Sequence, residues 1–252
     1  MSATLGVTKT IAVPEEQSSR PHERGPCGVS ALRTAIERMY ASLDNDSRAV
    51  LRRLAVFAGE FTLAAASAIA VGEKVSKLQV RVSLAQLQAT ALLESRGDTP
   101  AVRYRLPEMM RAHALKWLAA SGEADLTARR HAEYFQQIFE DAEVQLDRQV
   151  ATEWIAEYGR HIEEVRAALD WAFSPAGNAL IGVELTVAAI PLWVLSSRPD
   201  ELCRRIERAL ESEAAATHSA REMQLRAAAR LAGMPEVAAP YVSRGAFRRD
   251  SD

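Results

Sequence analysis

The sequence predicts a mainly α-helical protein, with a winged-helix domain (helices plus a β-hairpin) followed by an array of long helices. Three observations carry this. Apolar residues recur at helical spacing through most of residues 30–232. Strand-like alternation appears once, on either side of the turn Arg96-Gly97-Asp98-Thr99-Pro100. Charge is also unevenly divided: residues 31–120 hold 13 Lys/Arg and 8 Asp/Glu, net +5, whereas 121–215 hold 9 and 18, net −9. Such asymmetry marks a domain boundary, and Ser121-Gly122-Glu123 supplies a glycine at which a helix can stop.

Taken in order, residues 1–29 lack periodicity and contain Pro14, Pro21, Gly25, Pro26 and Gly28, so a flexible leader is expected there. From Ser30, the residues Leu32, Ala35, Ile36, Met39, Tyr40 and Leu43 trace a first helix. Asp44-Asn45-Asp46 breaks it, and Asp46 or Ser47 is expected to cap the next helix, whose apolar face is Val50, Leu51, Leu54, Ala55 and Phe57. Gly59 ends that helix, and Thr62 is placed to cap an alanine-rich one through Leu63, Ala66 and Ile69. A further helix, Val75 to Ala89, is expected to hold Leu78, Val82, Leu84 and Leu87 inside. The hairpin pairs Leu92–Ser95 with Val102–Leu106, sending Val102, Tyr104 and Leu106 to one face and Arg103 and Arg105 to the other. Pro107 is a favoured first helical residue, and the helix 108–120 carries Met109, Met110, Ala112, Leu115 and Trp117.

The winged-helix domain is thus expected at 30–120. A second, helical domain is expected at 123–232, with helices at 126–146, 150–173, 179–196, 200–214 and 218–232, and a loose tail at 233–252.

Composition excludes little by itself. The 252 residues are 48% hydrophobic and 25% charged with a net charge of −2, which suits a globular chain and argues against a uniformly basic nucleic-acid binder. The most apolar stretch, Ile181 to Leu195, carries Glu184 and Pro191 and is shorter than the ~20 residues a bilayer requires. Two widely separated cysteines, Cys27 and Cys203, and no secretory leader predict a cytoplasmic protein with reduced thiols.

Three strings reach beyond periodicity. Leu51-Arg52-Arg53-Leu54-Ala55-Val56-Phe57-Ala58-Gly59-Glu60-Phe61-Thr62-Leu63 resembles the winged-helix opening of large bacterial transcriptional regulators of the NB-ARC, signal-transducing-ATPase kind. Arg103-Tyr104-Arg105-Leu106 with Glu108 and Arg111-Ala112 resembles the hairpin and following helix of those proteins. Arg129 to Phe135 and Val165 to Phe173 resemble their first tetratricopeptide-like helices. The resemblance spans roughly residues 31–212. It implies a winged helix that serves as a regulatory joint, followed by a tetratricopeptide-like array. Such regulators usually carry a nucleotide-binding domain ahead of the winged helix, yet no Gly-x-x-x-x-Gly-Lys-Ser/Thr string occurs here. The chain therefore looks like the C-terminal portion of such a regulator without its ATPase domain. Three positions also depart from the family pattern: Thr90, Ala91 and Pro107.

In a DNA-binding winged helix the third helix enters the major groove and the wing meets phosphate. Here the third helix offers Lys74, Lys77, Gln79, Arg81, Ser83, Gln86 and Gln88, and the wing offers Arg96, Arg103 and Arg105. Of these, Lys74, Lys77, Arg81, Arg96, Arg103 and Arg105 are the candidate contacts to nucleic acid or to a neighbouring domain. The favoured partner is a protein, one candidate being a separately encoded nucleotide-binding ATPase domain; duplex DNA is the alternative, and no membrane is expected.

No catalytic constellation stands out, and neither an enzyme nor a cofactor is expected. Glu157, His161 and Glu164 share a helical face by spacing, but a solvated face is the simpler reading and no metal is assigned. His113 and His131 read as packed or rim residues, Cys203 as an inert thiol beside Arg204 and Arg205, and Tyr134, Phe135, Trp154, Trp171 and Trp193 as helix-packing core.

Overall fold

A computed structural model describes residues 26–97, 102–212, 214 and 217–232. Most of the expected leader, the centre of the hairpin turn at 98–101 and the expected tail from 233 lie outside the described residues. The chain divides into two compact units between Ala41 and Ser42. Among the described residues the first unit is helix α1 (Pro26–Ser42) up to Ala41. It begins four residues before the predicted Ser30, at a proline, which the first turn of a helix tolerates because its N–H has no helical partner. An exposed Arg33–Glu37 pair at 2.9 Å staples its surface.

The second unit opens with α2 (Asn45–Leu54). Its cap is Asp44, not the expected Asp46 or Ser47: the Asp44 carboxylate accepts the Ser47 N–H at 2.8 Å. That bond holds the Asp44 carboxyl below its ordinary range, against the opposing effect of its partial burial. Ser47 is instead buried, its Oγ within hydrogen-bond distance of Asp44, Ser83 Oγ and Gln86 Oε1. Then come β1 (Phe61–Thr62), α3 (Leu63–Ala70), α4 (Lys77–Ala89), β2 (Glu94–Arg96), β3 (Arg103–Arg105) and α5 (Glu108–Ala120). Thr62 caps α3 as expected, accepting the Ala65 N–H at 3.2 Å. The strands form an antiparallel sheet in the order β1-β3-β2, with Phe61 opposite Tyr104 and Ser95 opposite Tyr104 on the other side. The two-residue β1 is too short to show any period, so only the hairpin was predictable.

α2 packs on α3, α4 and α5 around Val50, Leu51, Leu54, Ile69, Val80, Leu84 and Leu87, all buried. Two predicted core residues are not part of it: Leu78 and Val82 are 68% and 59% exposed. The inward face of α4 is Val80, Ser83, Leu84 and Leu87, and at ~100° per residue Leu78 and Val82 fall on the other side. Likewise α5 buries Met110, Ala114 and Leu118, leaving Met109 and Ala112 outside.

The array comprises α6 (Ala124–Leu146), α7 (Ala151–Tyr158), a 3₁₀ turn (Gly159–His161), α8 (Ile162–Ala172), α9 (Ala179–Ala188), α10 (Ile190–Leu195), α11 (Pro199–Leu210) and α12 (Ser219–Ala232). The expected single helix at 150–173 is thus broken at Gly159, a residue of low helix propensity. The expected helix 179–196 is interrupted at Ala189, because Pro191 lacks an N–H and its ring crowds the carbonyl one turn earlier. α6 packs against α8 and α9, and α11 against α9 and α12. Trp154 is fully buried and its indole N–H donates to the Ala142 carbonyl at 2.8 Å. After α8 the chain reverses through Gly177, where a Cβ would lie 2.0 Å from the Trp171 carbonyl oxygen, so only glycine fits. No helix among the described residues is long and apolar enough to cross a membrane.

Candidate functional site

Two regions of the second unit carry the functional argument: the outer face of α4, and a joint in which the array grips the loop ahead of β1.

α4 starts from a full capping box, in which the Ser76 hydroxyl accepts the Gln79 N–H and the Gln79 side chain accepts the Ser76 N–H at 2.6 Å. Gln79 also donates through Nε2 to Asp46 at 2.6 Å. Gln86 accepts from Ser47, and Ser83 is buried. Three of the polar side chains that the sequence offered for base reading are therefore occupied by the protein itself. The solvent face that remains is Leu78, Val82, Ala85 and Ala89, one stripe at spacings of four, three and four. Lys77 and Arg81 border it, with Lys74 just ahead of the helix; all three are exposed and form no ion pair among the described residues. No acid occurs between Glu73 and Glu94.

The wing arginines are separated by the fold. Arg96 is exposed and lies 3.8 Å from Glu60, and Arg105 is exposed opposite Glu94. Arg103 is half-buried and near His161, where its charge adds to the effect of burial in pulling the imidazole below its ordinary value, against the opposing carboxylate of Glu164. It is thus less exposed than Arg96 and Arg105 and lies beside the 3₁₀ turn of the array.

The joint centres on Phe57-Ala58-Gly59. Glu164 of α8 is 1% exposed, and its carboxylate accepts the Gly59 N–H at 2.6 Å and the Ala58 N–H at 3.1 Å. His131 of α6, also 1% exposed, approaches the same carboxylate through Nε2 at 2.8 Å. On the other side of the loop Arg111 of α5 donates through Nε to the Phe57 carbonyl at 2.6 Å. Aromatic rings continue the path: Tyr104 lies over Phe61 (6.0 Å), Phe61 over Phe57 (4.4 Å), Phe57 edge-on to His131 (5.6 Å), and His131 beside Phe135 (4.8 Å).

Two further links tie the array to the winged helix. Glu123, just before α6, receives Arg53 at 2.5 Å and Arg52 at 3.3 Å. Burial alone would raise the Glu123 carboxyl, but the two guanidinium groups outweigh it and hold the group below its ordinary value. Arg130 of α6 donates to the Val71 carbonyl at 2.6 Å, beside the end of α3.

The expected solvated face of Glu157, His161 and Glu164 is thus corrected. Glu164 points inward and is saturated by the loop and His131, while His161 sits in the 3₁₀ turn. No group of three His, Cys, Asp or Glu placed to hold a metal occurs among the described residues. Sequence reasoning missed Glu164 as a structural residue, although one signal was present: it is in phase with Ala168 and Ala172 on the apolar side of α8. His131 is packed, as read, and Trp154, Trp193 and Phe135 are buried, whereas Trp171 and Tyr134 are half-buried.

The array also has a shallow cavity of about 340 Å³ between the start of α6 and the α8–α9 loop, lined by Asp125, Leu126, Arg129, Trp171 and Asn178.

Comparison with known proteins bears on the same region. Residues 43–119, from the end of α1 through α5, match the family described as "Winged helix-turn-helix domain". Over 162 residues the chain is 32% identical to proteins named "Putative HTH-type transcriptional regulator" from Mycobacterium tuberculosis and Mycobacterium bovis, covering 64% of this chain and 18% of each relative. Over 107 residues it is 34% identical to an uncharacterized protein of Mycobacterium tuberculosis, covering 42% of this chain and 27% of that relative. The chain therefore spans less than a third of the length of these relatives. No solved structure matches it. The protein carries a winged helix-turn-helix domain, and it is similar over nearly two thirds of its length to proteins named as HTH-type transcriptional regulators.

Proposed function

We propose that the chain is a non-catalytic relay and interaction module of a transcriptional regulator, in which tetratricopeptide-like helices govern the winged helix and α4 meets protein rather than bases. The observation that carries this reading is the joint: a buried carboxylate of α8 holds two backbone N–H groups of the loop between α2 and β1. A shift of α8 must either drag that loop or leave the buried Glu164 carboxylate without its backbone partners, at a cost of about 1–3 kcal/mol. Movement in the array is thereby converted into movement of the winged helix. The outer face of α4 supports the second half of the reading, since Gln79, Ser83 and Gln86 are engaged internally. The partner nucleotide-binding ATPase domain and the domain limits 30–120 and 123–232 belong to the same proposal.

The test is methyl NMR on the full chain, with Leu78 and Val82 as reporters on α4. Glu164→Gln, made some distance away in α8, is expected to shift both reporters. Unchanged reporters, with the change confined to the substituted site, would contradict a relay.

A second reading, an autonomous DNA-binding regulator, is favoured by the exposed Lys74, Lys77, Arg81, Arg96 and Arg105. It requires duplex affinity that falls steeply with salt and that weakens in Lys77→Ala and Arg81→Ala variants. Absence of binding to a duplex library at about 50 mM salt, where phosphate contacts are strongest, excludes it.

A further inference from the structure

We infer that the exposed face of α4 is the docking site for an acidic amphipathic helix of a partner protein. This rests on the reading of the chain as a protein-contact module and names the chemistry of the contact.

The shape of the site is set by the period of the helix. Leu78, Val82, Ala85 and Ala89 form one stripe, with two large apolar side chains at the N-terminal end and two methyl groups beyond them. Large residues followed by small ones present a stripe against which the apolar side chains of a facing helix can pack closely. An apolar stripe at a position that normally enters a DNA groove is a poor match to phosphate and base edges. It is a good match to the i, i+4, i+7 anchors of a second helix.

The sign of the partner follows from the border. Lys77 and Arg81 lie on the same flank of the stripe, and Lys74 stands at the helix entrance, none of them neutralised by an acid among the described residues. The opposite flank holds Gln79 and Gln86, which are turned inward to Asp46 and Ser47. A helix carrying leucines on one face and glutamates along one edge would bury Leu78 and Val82 and pair its edge with Lys77 and Arg81. A basic helix would place like charges together, which is the element that sets specificity.

The experiment uses the full chain and two synthetic helical peptides about 18 residues long, enough to form a helix. Both have leucine anchors, one with a glutamate edge and one with lysine in its place, and binding is read by fluorescence anisotropy. The glutamate peptide is expected to bind and the lysine peptide is not. Leu78→Ala is expected to weaken binding about tenfold, the effect of leaving one leucine unburied. The double variant Lys77→Glu/Arg81→Glu is expected to reverse the preference, losing the glutamate peptide and gaining the lysine one. These residues are exposed, so circular dichroism should show unaltered folding. Equal binding of both peptides, or no binding of either, overturns the inference. So does duplex DNA that competes for α4, or self-association of the chain that Leu78→Ala abolishes. If the peptides fail while Glu164→Gln still shifts α4, only this inference falls; if the shift is also absent, the relay falls with it.

Discussion

Replacing Glu164 strikes the joint between the array and the winged helix directly. In the folded protein its buried carboxylate meets three partners: the part-buried N–H groups of Ala58 and Gly59 and Nε2 of the buried His131. Glu164→Ala leaves all three without a partner and opens a space where the side chain was. An orphaned buried donor costs about 1–3 kcal/mol, and removing one member of a buried hydrogen-bonded pair costs about 3–5 kcal/mol in all. The expected loss for alanine is therefore about 3–5 kcal/mol. Glutamine keeps one carbonyl oxygen for Gly59 but turns an NH₂ group toward another donor, so its expected loss is smaller, about 1–3 kcal/mol. Urea unfolding followed by circular dichroism measures both, provided the dependence on denaturant is unchanged. Pairing Glu164→Gln with His131→Phe in a double-mutant cycle should show a coupling of about 0.5–3 kcal/mol. A Glu164→Ala protein within about 0.5 kcal/mol of the wild type, the range of ordinary surface changes, would mean that Glu164 does not hold the joint together.

Other perturbations follow from the same geometry. Arg166 hydrogen-bonds Glu201 through Nε and Nη2, and, despite partial burial, this bond and the charges of Arg166, Arg205 and Arg198 hold the Glu201 carboxyl below its ordinary 4.5. A depressed carboxyl stabilises the fold above its unfolded value and loses that contribution as pH falls through its folded value. Glu201→Gln should thus be less stable than wild type at neutral pH, with the gap closing below pH 4.5 in acid-unfolding curves. Gly177→Ala would set a Cβ 2.0 Å from the Trp171 carbonyl oxygen, and thermal unfolding should show a loss of at least the about 1–3 kcal/mol typical of overpacking. Trp154→Phe gives up the indole bond to the Ala142 carbonyl and should cost about 1 kcal/mol, read by urea unfolding.

Much of the fold was legible because most of its helices advertise themselves. α2, α3, α6 and α12 carry clean apolar phases or caps, and the hairpin is marked by alternation around its turn. What was not legible came from tertiary contacts. β1 is two residues long and exists only because Tyr104 and Arg103 offer it a ladder. Leu78 and Val82 count as apolar in any periodicity, but α2 and α3 approach α4 from the side of Val80, Ser83 and Leu84. The breaks at Gly159 and Ala189 sit inside helical apolar patterns that continue on either side, through Trp154, Ile162 and Val165 in the first case and Leu185, Leu192 and Trp193 in the second.

The candidate site divides in the same way. The cations Lys74, Lys77, Arg81, Arg96 and Arg105 were readable as exposed because basic residues with no acid in phase seek solvent. Arg103 was not, since the pull of the array on the inner side of the wing has no local signature. Glu164 and His131 were each visible as polar residues on amphipathic helices, 33 positions apart. Nothing in a linear sequence says that their common target is the pair of backbone N–H groups at Ala58 and Gly59.

Amide hydrogen exchange at Ala58 and Gly59 reports on the joint itself, because those two protons are what the array holds. Both should exchange slowly in the wild-type chain, although they lie in a loop, and should speed up by about tenfold or more in Glu164→Gln, the factor corresponding to one weakened buried bond. Exchange at unprotected loop rates in the wild type, or rates untouched by the substitution, would mean that the array does not hold this loop.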